Sequence, residues 1–343
     1  MGVKITELLK LKEISIAELA GRVIAVDSHI FLYQFLATIR QADGTPLMDS
    51  KGNITSHLTG LFSRTTSLMQ QGLKLAYVFD GKPPELKRKE RERRKEMKIE
   101  SEKKFREAAK RQDVEEMKKY AARASRLTPE MIGESKKLIS FLGLPVIDAP
   151  SEGEAQAAHM AKNKDAFAVA SQDADCLLFG SPRLIRNLSI TGKRKKANRL
   201  AYESLNPEIA ELAENLEYIG VSQDQLIALS MLVGTDYNPG GVKGIGPKNA
   251  LKLVKKYGSD FEKLFKEAKW DDNFDFPWAD VFNLIKKMPV TDKYDLKWKP
   301  VDKEKIKKLL VDEHDFSYER IDSALNKLDE EAQQKQQKSL SDF

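Results

Sequence analysis

The stretch RVIAVD at residues 22–27 decides the fold, because it is a short apolar run that ends in a carboxylate. A second run of the same kind, KLAYVFD, occupies residues 74–80. Continuous apolar segments of this length are typical of parallel strands that are covered by helices on both faces. A residue that directly follows such a strand lies at the carboxyl edge of the sheet, where open α/β sheets bind ligands. The sequence therefore predicts an α/β fold with a central, mostly parallel sheet flanked by helices, and a site at that edge.

The rest of the chain alternates predicted strands and helices in the manner of βαβ units. Strands are predicted at 145–148 and 166–170, with a helix at 154–162 between them. Thr128-Pro129 is a typical helix start, and that helix is expected to end before Gly143. The other predicted helical segments are a lead-in at 1–20, a helix from the first strand to about residue 40, and helices at 54–71, 222–232, 247–257, 303–310 and 318–329.

Acidic side chains gather where the predicted strands end or where the following helices begin. They are Asp27, Asp80, Glu152, Glu154, Asp173, Asp175 and Asp236. Carboxylates crowded at one edge of a sheet repel each other strongly unless cations neutralise them. Oxygen ligands suit Mg²⁺ or Mn²⁺, and a pair of such ions stabilises both the attacking and the leaving oxygen in phosphodiester hydrolysis. The pattern predicts a two-metal hydrolytic centre.

Each acidic patch also has a structural explanation when it is taken alone. An Asp that follows a strand is commonly a turn former or a helix cap, which applies to Asp27 and Asp80. Glu152 and Glu154 would complement the positive end of a helix that follows Ser151. Asp173 and Asp175 could be solvated loop residues. The joint occurrence of the patches favours the metal centre.

Composition excludes several classes of protein. The 343 residues are 41% hydrophobic, and no stretch is long and uncharged enough for a membrane span. The single cysteine, Cys176, excludes an intramolecular disulfide framework. The N-terminus lacks the positive-then-apolar pattern of a secretory signal. We therefore expect an intracellular protein, cytoplasmic or, in a eukaryote, nuclear.

The positive charge is concentrated in one segment. Residues 87–126 contain 17 Lys and Arg against 9 Asp and Glu, a balance of +8, so the remainder contributes −2 to the total of +6. Residues 87–96 have no apolar side chain, so the segment is expected to be an exposed helix pair, a mobile loop or a linker. A basic segment beside an acidic metal cluster is typical of a nucleic-acid substrate, because its cations bind phosphates.

A glycine-rich turn, GVKGIGPK at residues 241–248, opens a predicted helix. Gly244 and Gly246 would let backbone amides approach a phosphate closely, and the helix N-terminus adds favourable charge. The turn is not a nucleotide-binding P-loop, because no Gly-Lys-Ser/Thr follows. An ordinary helix–helix corner remains the alternative. The cations that would flank a bound phosphate are Lys243, Lys248 and Lys252.

Taken in order, the motifs VIAVDSHIFLYQFL, YVFDGKPPELK, APSEGEAQAA, SQDADCLLFG and GTDYNPGGVKGIGPKNA resemble those of the flap endonucleases. These enzymes belong to the structure-specific 5′ nucleases of the XPG/Rad2 superfamily, and the chain length resembles the archaeal form. The resemblance implies a PIN-like 5′-nuclease fold with one nuclease domain over 1–329, a helical arch at 82–128 and a helix–hairpin–helix region at 220–260. It also implies 5′ flap endonuclease and 5′–3′ exonuclease activity at single-strand/double-strand DNA junctions, in replication (Okazaki fragment maturation) and repair.

The resemblance assigns roles to individual residues. The seven carboxylates would hold two Mg²⁺ ions, with Mn²⁺ as a substitute, directly or through water. Lys87 and Arg94 match the arch residues that reach the scissile phosphate, and Tyr33 matches the aromatic on which a base stacks. Gly2 matches an N-terminal residue near the active site. The turn around Gly244 matches the region that grips duplex DNA together with a bound K⁺.

The C-terminal part carries two weaker matches. Residues 330–343, rich in Gln and Lys, are predicted to be a disordered tail. Gln337, Leu340 and Phe343 match the motif that binds the sliding clamp (PCNA), but the chain ends before the second aromatic. Either the sequence is truncated there or clamp binding is weakened. Phe316 falls where the family contacts a one-nucleotide 3′ flap. The protein is expected to act as a monomer.

Two other functions remain open from the sequence. A related 5′ exonuclease or RNase H-like 5′ nuclease would share the chemistry and differ in substrate. A non-catalytic DNA-binding scaffold would retain the glycine turn and the basic segment. A PIN-like RNase toxin shares an acidic cleft, but such proteins are usually far shorter. The intact set of carboxylates argues against the scaffold, because a silent protein has no reason to tolerate their mutual repulsion.

Overall fold

The computed structural model of the protein describes residues 3–190, 192–195 and 202–341. Gly2 and Phe343, to which the resemblance assigns roles, lie outside the described residues. The strands are β1 (Lys12–Glu13), β2 (Val23–Asp27), β3 (Lys74–Phe79), β4 (Val146–Asp148), β5 (Ala168–Ala170), β6 (Arg183–Arg186), β7 (Gly192–Lys195), β8 (Tyr202–Leu205) and β9 (Glu208–Glu211). The strands predicted at the two apolar runs are therefore confirmed.

Seven of these strands form one sheet, in the order β1-β9-β6-β5-β2-β3-β4, while β7 and β8 pair in a separate hairpin. The five strands from β6 to β4 run parallel to their neighbours. Strand β9 is antiparallel to β6, and the short β1 is antiparallel to β9. The mostly parallel α/β sheet is confirmed, with an antiparallel margin on one side only.

The helices are α1 (Ser28–Thr38), α2 (Ser56–Gln70), α3 (Arg88–Lys110), α4 (Val114–Ala124), α5 (Pro129–Phe141), α6 (Gly153–Lys162), α7 (Asp175–Leu178), α8 (Leu212–Ile219), α9 (Gln223–Val233), α10 (Pro247–Tyr257), α11 (Phe261–Glu267), α12 (Trp278–Lys286), α13 (Lys303–Lys307) and α14 (Tyr318–Ser341). A π-helical turn at Lys308–Asp312 follows α13. The basic segment is thus the helix pair α3 and α4, which was one of the three forms expected for it.

The central strands bury side chains on both faces of the sheet. In β2, Ala25 packs into the core under α6 and α9, whereas Ile24 and Val26 pack into the core under α1, α2 and α5. All three side chains are fully buried. Since removing one such aliphatic side chain from water stabilises the fold by roughly 1.5–3 kcal/mol, the uninterrupted apolar run is explained by burial on two sides.

The lead-in differs from the prediction of a helix. Residues 1–20 contain 3₁₀ turns at Thr6–Leu8 and Ala17–Leu19, with β1 between them. Lys12 pairs with Ile209 of β9, and the amide of Ile14 donates to the carbonyl of Pro207. The segment adds to the edge of the sheet, because backbone pairing with a strand distant in sequence outweighs its local helical preference.

The tail also differs from its prediction. Helix α14 continues to Ser341, through residues predicted to be disordered from 330 onwards. This stretch has no Gly or Pro and is rich in straight-chain helix formers, so it extends a helix already anchored by buried Ile321, Leu325 and Leu328. The backbone of Gln337 and Leu340 belongs to this helix. Among the described helices, none combines the length and the apolar composition needed to cross a bilayer.

Candidate active site

The seven carboxylates, Lys87, Arg94 and Tyr33 all line one cleft of about 850 Å³ at the carboxyl edge of the parallel strands. Strand β2 ends at Asp27, Asp80 follows β3, and Asp173 and Asp175 follow β5. Glu152 and Glu154 begin α6, and Asp236 follows α9. Residues separated by more than 200 positions are thus brought together by the parallel arrangement of the strands and by α9.

Backbone amides orient several of these carboxylates. Asp27 is the N-cap of α1, and its Oδ1 accepts a hydrogen bond from the amide of Ile30 at 3.2 Å. The amide of Gly153 donates to Asp80 Oδ1 at 2.7 Å, and the amide of Val3 donates to Asp175 Oδ1 at 2.6 Å. Asp27 is therefore a helix cap, as its structural explanation predicted. The cap uses Oδ1, so Oδ2 of the same carboxylate is not needed for it.

Ser171 and His29 belong to the site but were missed from the sequence. Ser171 Oγ donates to Asp27 Oδ2 at 3.1 Å and lies 3.0 Å from Glu154 Oε1. His29 Nδ1 accepts from the amide of Asp80 at 3.2 Å. The available signal was position: Ser171 directly follows β5, and His29 stands two residues after Asp27 in VDSH.

Gly153 is a third position that sequence reasoning missed. A Cβ at Gly153 would lie 2.8 Å from Asp80 Oδ1, which is closer than side-chain carbons approach other atoms. Only a glycine lets the first turn of α6 approach the Asp80 carboxylate this closely. The signal in the sequence is the glycine between the two acidic residues of SEGEA.

Crowding and burial perturb the acids as a group. Burial, with repulsion from Asp80, raises the pKa of Asp27 to about 7. Burial, with repulsion from Asp236 and Asp173, raises the pKa of Asp175 to about 7. Burial and the neighbouring carboxylates also raise the pKa of Glu154 well above its ordinary value. Such a cluster is stable in its charged form only when cations are present.

Two cations of the basic segment reach into this cluster. Lys87 Nζ lies 2.5 Å from Glu152 Oε2 and 3.2 Å from Asp236 Oδ2. Arg94 Nη2 donates to Asp236 Oδ1 at 2.5 Å. Burial opposes the charge on Lys87, but Glu152 and Asp236 outweigh burial and hold the pKa of the ammonium above its ordinary value. Both side chains are therefore cationic within the cleft at neutral pH.

The donor set fits hard divalent cations. Across the described ranges, no three His, Cys, Asp or Glu side chains converge closely enough to enclose a metal ion. Mg²⁺ does not require such an enclosure, because it usually keeps several waters and binds through one or two carboxylates. The donors are carboxylate oxygens gathered in one cleft, and hard divalent cations prefer oxygen ligands. We conclude that the residues present suit Mg²⁺ or Mn²⁺.

Tyr33 lies at the mouth of the cleft, on α1. Its side chain is 37% exposed, and Lys98 Nζ from α3 lies 4.4 Å from the ring centroid and 3.2 Å from the hydroxyl oxygen. A half-exposed ring beside a lysine is a surface on which a nucleobase can stack next to its phosphate.

The glycine turn lies outside this cleft, between α9 and α10. Gly244 has φ +83°, a backbone conformation that favours glycine, and Gly246 is the N-cap of α10 with Pro247 in its first turn. Apart from the glycine itself and its two chain neighbours, no described residue has an atom within 4 Å of a Cβ built at Gly244 or Gly246. Lys243, Lys248 and Lys252 are exposed. The turn thus presents open backbone and three cations to solvent.

Phe316 also lies outside the carboxylate cleft. The ring is partly buried against the core beneath α2 and α14, and its amide donates to the carbonyl of Leu310. The neighbouring His314 is buried, with Nδ1 3.0 Å from Asp49 Oδ2 and Nε2 3.3 Å from Glu134 Oε1. Local packing accounts for this segment in the absence of DNA.

Comparison with known proteins agrees with this geometry. The family description "XPG N-terminal domain" matches residues 1–101, and "XPG I-region" matches residues 143–236. A flap endonuclease 1 of Hyperthermus butylicus is 54% identical over 260 residues, which cover 75% of this chain and 74% of the relative. The chain belongs to the flap endonuclease family. Another flap endonuclease 1, from Pyrococcus horikoshii, is 52% identical over 271 residues, 79% of each chain.

Solved structures of flap endonuclease relatives share the fold. Flap endonuclease-1 from Methanococcus jannaschii superposes with a TM-score of 0.77 at 43% identity, covering 97% of this chain and 100% of the other. The catalytic core of Rad2 in complex with a DNA substrate superposes with a TM-score of 0.67 at 25% identity, covering 94% and 97%. The expected 5′-nuclease fold is therefore confirmed for this member of the flap endonuclease family.

Proposed function

We propose that this protein is a structure-specific 5′ flap endonuclease, with 5′–3′ exonuclease activity, that hydrolyses DNA phosphodiester bonds near single-strand/double-strand junctions. The observation that carries the proposal is one cleft in which seven carboxylates face two cations of the basic segment, Lys87 at the N-cap of α3 and Arg94 within α3. The carboxylates suit the metals of phosphodiester hydrolysis, and the helix pair suits a phosphate backbone. A member of the flap endonuclease family with this cleft is best explained as an active enzyme.

In the proposed mechanism, two Mg²⁺ ions, or Mn²⁺ in their place, would lower the pKa of water and offset negative charge at the scissile phosphate when bound. The residues that would hold them, directly or through water, are Asp27, Asp80, Glu152, Glu154, Asp173, Asp175 and Asp236. The Gly153 amide and Ser171 keep Asp80 and Asp27 oriented. Lys87 and Arg94 would leave their carboxylate partners for the phosphate and offset the charge that develops there.

The DNA contacts are proposed at three places. Tyr33 would stack on a base next to the cut, with Lys98 turning to the adjoining phosphate. The turn at Gly244 and Gly246 would present amides to a duplex phosphate, flanked by Lys243, Lys248 and Lys252, with K⁺ bound at the turn. Phe316 would contact a one-nucleotide 3′ flap.

The wider organisation is proposed from the family. Residues 1–329 would act as one nuclease domain, with the arch at 82–128 clamping the flap strand and the region 220–260 holding the duplex. The protein would act as an intracellular monomer in replication and repair. Gln337, Leu340 and Phe343 would contact the sliding clamp (PCNA). That contact would require all three side chains to be accessible to the clamp.

One experiment separates this function from the alternatives. A 5′-flap substrate, the matching blunt duplex and the free single strand, all 5′-labelled, are incubated with the protein in Mg²⁺ and in EDTA. A flap endonuclease releases the flap as one main product in Mg²⁺ and releases none in EDTA. A 5′ exonuclease instead yields short products from the duplex with no preference for the junction, and a scaffold binds the flap without cutting it.

A further inference from the structure

Glu90 is a buried acid on a helix that is mostly exposed. It lies in the first turn of α3, where residues 88–96 contain no apolar side chain. Within α3, all of whose residues the structure describes, the buried residues are Glu90 and Ala108, and Glu90 is only 3% exposed. An ionised carboxylate is buried at low cost only when it is fully bonded to cations or donors.

Two arginines of the same helix satisfy that requirement. Arg93 forms a two-point contact, from Nε to Glu90 Oε2 at 2.7 Å and from Nη2 to Oε1 at 2.8 Å. Arg94 Nε donates to Glu90 Oε1 at 2.6 Å. The spacings of three and four residues place all three side chains on one side of the helix. Burial alone would raise the pKa of Glu90, but the bonds from both arginines outweigh it and hold the pKa below its ordinary value.

The contact with Arg94 has a direction. Glu90 binds the inner nitrogen, Nε, while the outer nitrogen, Nη2, reaches Asp236 in the cleft. A bond at Nε restrains the long, flexible arm of the arginine and directs the end of the guanidinium fork, through Nη2, toward Asp236 in the cleft. The Arg94 fork is therefore held ready to face the cleft before substrate arrives, which lowers the entropy lost on binding a phosphate there.

We propose that Glu90 is a positioning residue for cleavage and that it acts through Arg94, an inference that rests on the proposed nuclease function. If Glu90 only stabilised the helix, a different result would be expected when it is replaced. An acid in the first turn also stabilises a helix through the helix dipole, and its loss would then affect the protein equally whether Arg94 is present or not. Glu90 and Arg94 are coupled only if one acts through the other.

The test is a double-mutant cycle in single-turnover cleavage of the 5′-flap substrate at saturating enzyme and Mg²⁺. We expect Glu90→Ala to lower the rate roughly tenfold in the wild-type background and by no more than about twofold in the Arg94→Ala background. Glu90→Gln retains an acceptor for Arg94 Nε and should recover part of the loss. Flap affinity and the melting temperature should change little.

Glu92→Ala is the matched control, since Glu92 is an acid of the same helix whose side chain is 64% exposed. Its Oε1 lies 3.9 Å from Arg88 Nε, which is too far for a hydrogen bond. If Glu90→Ala lowers the cleavage rate by the same factor whether or not Arg94 is present, the inference is overturned. A loss of the same size for Glu92→Ala also overturns it. If Glu90→Ala fails to fold, the same cycle run with Glu90→Gln decides the question. If the wild-type protein leaves the flap intact, both the proposed function and this inference are overturned. If the wild type cleaves the flap and Glu90→Ala cleaves it at the same rate, only the inference is overturned.

Discussion

Replacing Gly153 by alanine tests whether the carboxylates must be held in place by the backbone. A Cβ at Gly153 would lie 2.8 Å from Asp80 Oδ1, whereas ordinary contact begins at 3.4 Å. The Asp80 carboxylate would therefore have to move by about 0.6 Å, and its 2.7 Å bond from the Gly153 amide would be distorted. The fold itself should survive, because the atom displaced is the end of a side chain and alanine favours the helix that begins there.

The expected size of the effect follows from these distances. A misplacement of about 1 Å at a reacting group can reduce a rate on the order of 100-fold, so a shift of about 0.6 Å predicts a loss of roughly 10- to 30-fold. Loss of a bond that orients a metal ligand typically weakens metal binding about 10- to 100-fold. We therefore expect Gly153→Ala to need more Mg²⁺ for half-maximal cleavage and to remain slow at saturation.

The assay is single-turnover cleavage of the flap substrate over a Mg²⁺ series, together with thermal unfolding. Gly133→Ala is the matched control, since Gly133 is a helical glycine of α5. Apart from its chain neighbours and the nearby backbone of α5, no described residue has an atom within 4 Å of a Cβ built there. That variant should cleave like wild type and be more stable by about 0.4–1 kcal/mol. Wild-type cleavage by Gly153→Ala at every Mg²⁺ concentration would refute the requirement for close approach.

Three further predictions concern the metal cluster, the arch and the duplex grip. Asp173→Ala should reduce cleavage about 1,000-fold or more while changing flap affinity little; retention of more than about a tenth of the wild-type rate at saturating Mg²⁺ would place this residue outside the metal site. Lys87→Ala should slow single-turnover cleavage about 100-fold, and a wild-type rate would make the helix pair a mere spacer. Lys248→Ala should reduce the log–log salt slope of duplex binding by about one, and Gly246→Val should weaken that binding without changing Mg²⁺ dependence; unchanged slopes and affinities would make the turn a simple helix corner.

The sequence by itself determined the features that depend on local signals. The apolar runs at 22–27 and 74–80 predicted β2 and β3, because strands buried on both faces need continuous apolar residues. Thr128-Pro129 predicted the start of α5, where Thr128 caps the amide of Met131. The acidic patches were also visible, since the residue after a parallel strand must lie at one edge of the sheet.

Only the tertiary structure decided the features that depend on distant partners. Strand β1 exists because β9, almost 200 residues later, pairs with it. Glu90 stands in a run of charged residues whose pattern predicted an exposed segment, yet Glu90 is buried and bonded to Arg93 and Arg94. The need for glycine at 153 arises from the position of the Asp80 side chain. Burial, close approach and pairing across the chain are properties of the packed molecule, and local sequence patterns carry little information about them.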